Sequence, residues 1–103
     1  MKIVINSDFG GFGLSKLAIE SYASRKGLAL GKWNSNYGYF EDFMETDIPR
    51  NDKDLVEVVE SLGSLANGSY SSLRIVEIPD GVEWHIAEYD GMEHVAENHR
   101  TWR

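Results

Sequence analysis

The spacing of apolar residues predicts a strand followed by a helix at the start of the chain. Residues 2–5 read KIVI, an apolar and β-branched run that is typical of a buried central strand. From Leu14 the apolar residues recur at three- and four-residue intervals, which indicates one buried helix face. That face comprises Leu14, Ala18, Ile19, Tyr22 and Ala23. We predict that the helix begins at Leu14 or Ser15 and stops at Gly27, because glycine readily takes the left-handed conformation that ends helices.

A second helix is predicted after the sequence IPRND, where Asn51 or Asp52 can cap the first turn. Its buried stripe comprises Leu55, Val59, Leu62 and Ala66. Asn67 and Gly68 are expected to end it. Between the two helices, residues 28–50 lack a regular period, and NYGYFEDF could form a strand with a glycine bulge.

The last third of the chain is predicted to be β-structure. LRIVEI (73–78) and EWHIAEY (83–89) flank a turn signal, Pro79-Asp80-Gly81. Asp90-Gly91 then predicts a tight hairpin into MEHVAE. A competing interpretation is a short helix capped by Asp90 and Glu93, with one face formed by Met92, Val95, Ala96 and His99. We favour the hairpin.

The hairpin interpretation also predicts which side chains share a face. Position 87 would lie opposite 94 and position 85 opposite 96, so that His85 and His94 fall on one face. Trp84, Ile86 and Val95 would line the other face. Two histidines near acidic residues could supply acid–base or metal ligands, but no HxH or HxxxH spacing is present. We interpret them as solvent-facing and predict neither a metal site nor a catalytic residue.

The order of predicted elements is β-α-(β)-α-β-β-(β), where the parentheses mark the irregular middle segment and the last hairpin strand. A length of 103 residues fits one domain. We therefore predict a single compact α+β domain over residues 1–103, with two helices packed on a mainly antiparallel sheet.

Composition narrows the possible chemistry. The chain contains no cysteine, which excludes disulfides, thiolate zinc sites and cysteine nucleophiles. No apolar run approaches the length of a signal-peptide core or a membrane span. We expect a soluble cytoplasmic protein that carries no cofactor and has no membrane partner.

The net charge of −7 is unevenly distributed. Residues 1–40 hold five basic and two acidic groups, or +3, whereas residues 41–103 hold five basic and fifteen acidic groups, or −10. Such a surface would repel a phosphate backbone, which argues against nucleic acid as a direct ligand. It favours a basic protein partner, although acidic residues can also serve only to keep a surface solvated.

Residues 6–15, NSDFGGFGLS, form what we call the glycine loop. A strand that leads through glycines into a helix N-terminus can bind phosphate through free backbone N–H groups. Neither GxGxxG nor GxxxxGK[ST] fits these residues, however, and the glycines could instead form a tight turn for close helix–strand packing. The candidate ligand-binding residues are Asp8, Gly10, Gly11, Gly13 and Ser15.

A second candidate surface combines aromatic and acidic side chains. Aromatic residues are enriched at binding hot spots, and residues 33–43 hold several of them without a helical or strand period. Trp102 adds another near the end of the chain. The candidate partner-binding residues are Trp33, Tyr37, Tyr39, Glu41, Asp42, Glu83, Glu88 and Glu93. Filling of the core is the alternative role for the aromatic residues.

Residues 1–27, MKIVINSDFGGFGLSKLAIESYASRKG, resemble the opening of the ribose-5-phosphate isomerase B and galactose-6-phosphate isomerase family. In that family an aspartate–histidine pair begins the substrate site, which implies a substrate-contacting role for Asp8. Phe9 stands where the family has histidine, and the family's catalytic cysteine has no counterpart here. The resemblance therefore implies a shared strand–loop–helix unit and no isomerase activity.

A second resemblance extends over nearly the whole chain, to a family of small proteins of tailed bacteriophages. Its segments read KIVIN, GGFGLS, DIPRNDKDLVEVVESLG, VEIPDGVEWHIAEYDGMEHVAE and HRTW. This resemblance implies no activity or cofactor, but it does imply an accessory protein made in the cytoplasm of an infected bacterium. We predict that it binds and inhibits a basic host or defence protein. The alternative is a protein that binds or sequesters a small phosphate-bearing metabolite or nucleotide at the glycine loop.

Overall fold

The computed structural model describes residues 1–98, which contain six strands and two α-helices. In chain order they are β1 (Lys2–Asn6), α1 (Lys16–Lys26), β2 (Trp33–Asn34), β3 (Tyr39–Phe40), α2 (Lys53–Leu62), β4 (Leu73–Glu77), β5 (Trp84–Tyr89) and β6 (Met92–Glu97). Short 3-10 turns occur at Glu45–Asp47 and Gly63–Ala66. His99 and Trp102, which entered the sequence predictions, lie outside the described residues.

The strands pair antiparallel, which together with the two helices confirms the predicted α+β class. They form three separate two-stranded sheets, β1 with β4, β2 with β3, and β5 with β6, in place of one continuous sheet. Strand β1 is buried, as predicted, but within residues 1–98 its only strand partner is β4. The prediction that β1 is a central strand is therefore wrong.

Helix α1 ends where it was predicted and begins at Lys16, one residue after the predicted start. The Ser15 side chain accepts a hydrogen bond from the N–H of Ala18 at 3.1 Å, and Gly27 ends the helix with φ of 69°. All five residues of the predicted helix face are buried. Within residues 1–98, neither α-helix has the length and apolarity that a membrane span requires.

Helix α2 begins where it was predicted and ends earlier. Asp52 caps it by accepting hydrogen bonds from the N–H groups of Asp54 at 2.8 Å and Leu55 at 3.0 Å. The α-helix stops at Leu62, because Gly63 takes a φ of 56° that breaks the helical path, and a 3-10 turn continues to Ala66. The predicted end at Asn67 and Gly68 is therefore wrong for the α-helix.

The main core lies between the two helices and the sheet of β1 and β4. Its most buried members include Val4 from β1, Ala18 from α1, and Leu55 and Val58 from α2. The predicted stripe of α2 is largely confirmed, since Leu55, Val59 and Ala66 are buried and Leu62 is half-buried. This core fixes the start of the glycine loop at one end of β1 and the start of α1 at the other end of the loop.

The segment NYGYFEDF is not the bulged strand that its composition suggested. It forms a turn and the short strand β3, which pairs with β2. The side chain of Asn34 accepts hydrogen bonds from the N–H groups of Asn36 and Tyr37 at 3.0 and 3.2 Å, which favours a turn over an extended strand. Trp33 and Phe40 pack across the two strands with their ring centroids 4.8 Å apart.

The hairpin of β5 and β6 confirms the prediction in detail. His85 lies opposite Ala96 and Ala87 opposite His94. At the tip, Asp90 and Gly91 both have positive φ, 50° and 86°, as a two-residue type I′ turn requires. The alternative helix at this position is excluded. We call β5, β6 and the adjoining Glu83 the acidic hairpin.

Candidate functional site

Asn6, the first residue of the glycine loop, is completely buried and fixes the course of that loop. Its side-chain amide donates hydrogen bonds to the carbonyl groups of Asp8 at 2.7 Å and Gly91 at 2.8 Å. Its side-chain oxygen accepts hydrogen bonds from the N–H groups of Asp8 at 3.2 Å and Ser72 at 2.9 Å. Asn6 therefore ties the loop to the start of β4 and to the hairpin tip, a role that the sequence reasoning missed.

The glycines of the loop allow close backbone contacts. A side chain at Gly10 would collide with the backbone of Tyr70. A side chain at Gly91, in the hairpin tip, would collide with the backbone of Phe9 and Gly11. The loop is thus wedged between residues 68–71 on one side and the acidic hairpin on the other. The sequence predicted that these glycines allow the helix to pack closely on the strand. The close contacts are present, but they are made with residues 68–71 and with the tip of the acidic hairpin.

On its outer side the glycine loop forms one wall of a cleft of about 330 Å³, which we call the aromatic cleft. Other walls come from the aromatic segment and from the turn before β4. The residues that line the cleft include Gly10, Gly11, Gly13, Lys16, Trp33, Tyr37, Glu45 and Tyr70. The cleft brings together two sets of residues that the sequence assigned to different functions, the ligand-binding glycines and the partner-binding Trp33 and Tyr37.

The polar groups of the cleft have opposite charges. Within residues 1–98, the N–H groups of Gly10, Gly11 and Gly13 donate to no protein acceptor. Lys16 Nζ lies 5.2 Å from the centroid of the Trp33 ring, in the range of a cation–π contact. The Glu45 carboxylate approaches the same loop, with Oε1 3.5 Å from the N–H nitrogen of Leu14. An anion bound to the loop would therefore meet both a lysine and a carboxylate.

Asp8 and Ser15, the other two candidate ligand-binding residues, do not line the cleft. The Asp8 carboxylate accepts a hydrogen bond from the N–H of Phe9 at 2.7 Å. Ser15 caps α1 and donates its hydroxyl to the carbonyl of Leu65 at 2.6 Å. Both side chains have local structural roles, so the structure narrows the candidate ligand site to the glycines.

Most of the predicted partner-binding residues are exposed. Tyr37 is 81% exposed and Tyr39 is 44% exposed, while Trp33 is half-buried against Phe40. Tyr70, which the sequence reasoning missed, is 77% exposed at the rim of the cleft. The exposed carboxylates that form no ion pair within residues 1–98 include Glu41, Asp42, Glu83 and Glu88.

Glu93, unlike the other carboxylates predicted to bind a partner, is buried. It is only 8% exposed, and its carboxylate forms two hydrogen bonds with the Arg50 guanidinium, at 2.6 and 2.8 Å. It also accepts the N–H of Asn6 at 2.8 Å. The burial results from these contacts with Arg50 and Asn6. The hairpin register alone does not predict it, because Glu88 lies on the same face and is exposed.

Arg50 and Glu93 together occupy the open edge of β1. The N–H of Val4 donates to the carbonyl of Arg50 at 2.8 Å, and the Arg50 guanidinium lies 3.4 Å from the carbonyl oxygen of Val4. Two residues further along, Glu93 accepts the N–H of Asn6. The guanidinium also stacks on Phe12 of the glycine loop, 3.6 Å from the ring centroid. The ion pair thus joins β1, the glycine loop and the acidic hairpin.

Within residues 1–98, no three side chains of the metal-ligating types lie close enough to hold a metal ion.

The comparisons with known proteins add no further constraint. Comparison of the chain with protein-family models, with curated proteins and with solved structures found no match. The case for a function therefore rests on the cleft and the hairpin themselves.

Proposed function

We propose that the protein acts by binding a partner protein with a basic surface, through the aromatic cleft and the acidic hairpin. The observation that carries this proposal is the position of the glycine loop. One side of the loop lines the cleft, and Gly11 and Phe9 contact the hairpin tip at Gly91. The two candidate surfaces are therefore neighbours, although residues 33–43 and 83–97 are far apart in the chain.

Exposed tyrosines supply the apolar part of such an interface. Tyr37 and Tyr70 both line the cleft while leaving most of their rings in solvent. Tyrosine is enriched at binding hot spots, because its rigid ring buries much area and its hydroxyl can form a hydrogen bond. The surface thus offers anchors at the cleft and carboxylates around them.

The carboxylates supply the attraction to a basic partner. Glu83 and Glu88 are exposed on a hairpin that lies within a stretch, from Ile75 to Asn98, without lysine or arginine. Complementary charge accelerates association and discriminates among partners, and salt weakens it. The resemblance to tailed-bacteriophage proteins supports a bacterial host or defence protein as the partner, which would be inhibited by occupation of its basic surface.

Affinity capture from bacterial lysate tests this proposal. The wild-type chain should recover a basic protein, and a double variant, Tyr37→Ser with Tyr70→Ser, should recover at least tenfold less. Leu65→Ser, which removes a side chain that is 65% exposed outside the cleft, is the control and should capture normally. Equal capture by wild type and by the tyrosine variant, or no capture above background from infected and uninfected cells, would refute the proposal.

A second candidate function is binding of a small phosphate-bearing molecule in the aromatic cleft. The observation that favours it is the set of glycine N–H groups that have no acceptor within residues 1–98, beside Lys16. A volume of about 330 Å³ suits a small ligand. Glu45 opposes an anion at this position, so its charge should limit the affinity.

Thermal shift with ATP, ribose 5-phosphate and inorganic phosphate tests the second candidate, because a ligand of the native state raises its stability. At millimolar probe, Glu45→Gln should show a larger shift than the wild type. Gly11→Val should abolish the shift, whereas Gly81→Val should retain it, since both glycines have positive φ but only Gly11 lies in the cleft. No shift for wild type and Glu45→Gln would eliminate this function.

A further inference from the structure

We propose that the outer edge of β5 receives an extended segment of the partner as an additional antiparallel strand, in which basic and apolar residues alternate. This inference rests on the proposed function and specifies the kind of segment that the partner presents. It is drawn from three features of the hairpin: a free strand edge, an adjoining apolar groove, and the placement of the acidic side chains.

Strand β5 has an open edge. It pairs only with β6 among the described strands, and the bond from the N–H of Asn98 to the carbonyl of Glu83 shows that odd-numbered residues of β5 face β6. The backbone groups of Trp84, Ile86 and Glu88 therefore point away from β6. None of the backbone hydrogen bonds within residues 1–98 uses them. Such an edge can pair with an added strand.

The other edge of the hairpin is not equally available. Glu93 of β6 binds Asn6 of β1 and Arg50, so the β6 side is held against the body of the protein. Strand β5 is consequently the outer strand, and an added strand would meet its edge without displacing the ion pair. This asymmetry selects β5 over β6 as the docking edge.

A groove of about 400 Å³ lies beside β5 and suits apolar side chains. It is lined by Ile78, Pro79, Val82, Trp84, Val95 and Glu97. Trp84 and Ile86, on the groove face of β5, are only half-buried. In an antiparallel added strand, directly opposite residues share a face, so every second side chain of the segment would pack beside Trp84 or Ile86.

The charges define the other residues of the segment. Glu83 shares the opposite face of β5 with His85, whereas Glu88 lies near the tip on the same face as Trp84 and Ile86. A lysine or arginine of the segment near either position would therefore meet a carboxylate, whereas an acidic residue would be repelled. A second copy of this chain is disfavoured as the occupant, because residues 75–98 contain no lysine or arginine that could pair with Glu83 or Glu88. The structure thus points to a basic, alternating segment from a different protein.

Titration calorimetry with synthetic eight-residue peptides tests the docking edge. A capped peptide of alternating lysine and valine should bind, and a peptide of alternating glutamate and valine should not. In the antiparallel arrangement the valine N–H groups face β5. N-methylation of the valine amides should therefore weaken binding at least tenfold, while N-methylation of the lysine amides should leave it within about twofold.

A proline variant tests the same edge from the side of the protein. Ile86→Pro removes an outward N–H of β5 and should weaken binding of the lysine–valine peptide at least tenfold. Leu65→Ser, which changes an exposed side chain outside the hairpin and the groove, is the control and should retain binding. Circular dichroism establishes that both variants are folded. The N-methylated peptides give the same answer on the wild-type chain if a proline variant does not fold.

Several results would overturn the inference. They are binding of the glutamate–valine peptide, equal binding of both methylated peptides, or a concentration-dependent dimer of the chain that binds no peptide. Its failure is distinguishable from failure of the proposed function. If lysate capture depends on the cleft tyrosines but the lysine–valine peptide does not bind, the β5 edge is wrong and the proposed function stands. If the peptide binds as described and no partner is captured, the β5 edge stands and the proposed function is wrong.

Discussion

At the scale of single residues, a buried ion pair determines where the acidic hairpin lies. Glu93 and Arg50 are both largely removed from solvent, with side-chain exposures of 6% and 15%, and they form a two-point contact. Removal of one member of such a pair leaves an unpaired buried charge, which is costly. Because Glu93 also accepts the N–H of Asn6, its loss would also remove one of the two hydrogen bonds that join Asn6 to the hairpin.

We expect Glu93→Ala to lower the free energy of unfolding by about 3–5 kcal/mol. Glu88→Ala is the matched control, since Glu88 lies directly opposite Glu93 on the same face of the hairpin and is exposed. Its effect should stay below about 1 kcal/mol. Urea denaturation of both variants measures the difference. Equal losses would show that the ion pair does not hold the hairpin.

Gly81 and Gly91 allow the stability cost of backbone strain to be measured separately from the cost of a steric collision. Gly81 and Gly91 have nearly equal positive φ values, 83° and 86°, but a side chain would meet open space at Gly81 and the glycine loop at Gly91. Gly81→Ala should therefore cost about 1–2 kcal/mol. Gly91→Ala should cost at least about 2 kcal/mol more, because the collision forces the hairpin tip away from the loop. Denaturation curves that give equal costs would contradict the packing of the tip on the loop.

The sequence predicts some of these residue roles and not others. Positive φ at Gly91 follows from the Asp-Gly turn signal, whereas burial of Glu93 depends on its contacts with Arg50 and Asn6 and does not follow from the hairpin register. The bonds of Asn6 to Ser72 and Gly91 join segments that are far apart in the chain, so no local pattern contains them. The available signal for the role of Asn6 was its position as a single polar residue at the end of the apolar strand β1.

At the scale of elements, α2 is fixed at its start by charge as well as by capping. Lys26, in the last turn of α1, lies 2.8 Å from a carboxylate oxygen of Asp52 and 3.0 Å from one of Asp54. Burial disfavours the charged form of Asp52. The Lys26 ammonium and the N–H groups of Leu55 and Asp54 outweigh that effect and lower its pKa below the ordinary value of 3.8.

This lowered pKa gives a pH-dependent contribution to stability. A carboxyl whose pKa is lowered by folding stabilises the native state above its unfolded pKa of 3.8, and this contribution is lost as the pH falls through the folded value. Asp52→Asn should therefore be less stable than the wild type at pH 7, with the difference shrinking below pH 3.8. Asp52→Ala should be about 1 kcal/mol less stable than Asp52→Asn both at pH 7 and below pH 3.8, because asparagine still caps the helix. A difference between wild type and Asp52→Asn that does not change with pH would contradict the charge role.

Elements with a clear period and a terminal signal were predictable, and the others were not. Helix α1 has Ser15 and Gly27 at its ends, and the C-terminal hairpin has Asp90-Gly91 at its tip. In contrast, the apolar stripe of α2 continues into residues that form a 3-10 turn, since the period alone does not register the positive φ of Gly63. The strands β2 and β3 have two residues each, too short to show a period.

At the scale of the whole molecule, the two candidate surfaces meet at the glycine loop. The loop was singled out as a possible phosphate site, and the structure places it between the aromatic cleft and the acidic hairpin. Tyr70 completes the cleft from a turn with no binding signal of its own. Because this arrangement depends on contacts among residues 6–15, 33–45, 68–71 and 90–92, the sequence could supply the components of the site but not their juxtaposition.

The charge of this combined surface provides the most direct test of the proposed binding to a basic partner. The measurement is the affinity for the captured partner, at low and high salt, of wild type and of two double variants with equal net charge. Glu83→Gln with Glu88→Gln removes two exposed carboxylates of the hairpin, whereas Glu20→Gln with Glu77→Gln removes two exposed carboxylates outside it. We expect only the hairpin variant to bind at least fivefold more weakly at low salt and to depend less on salt. Equal affinities for the two variants, or an affinity of the wild type that salt does not change, would contradict it.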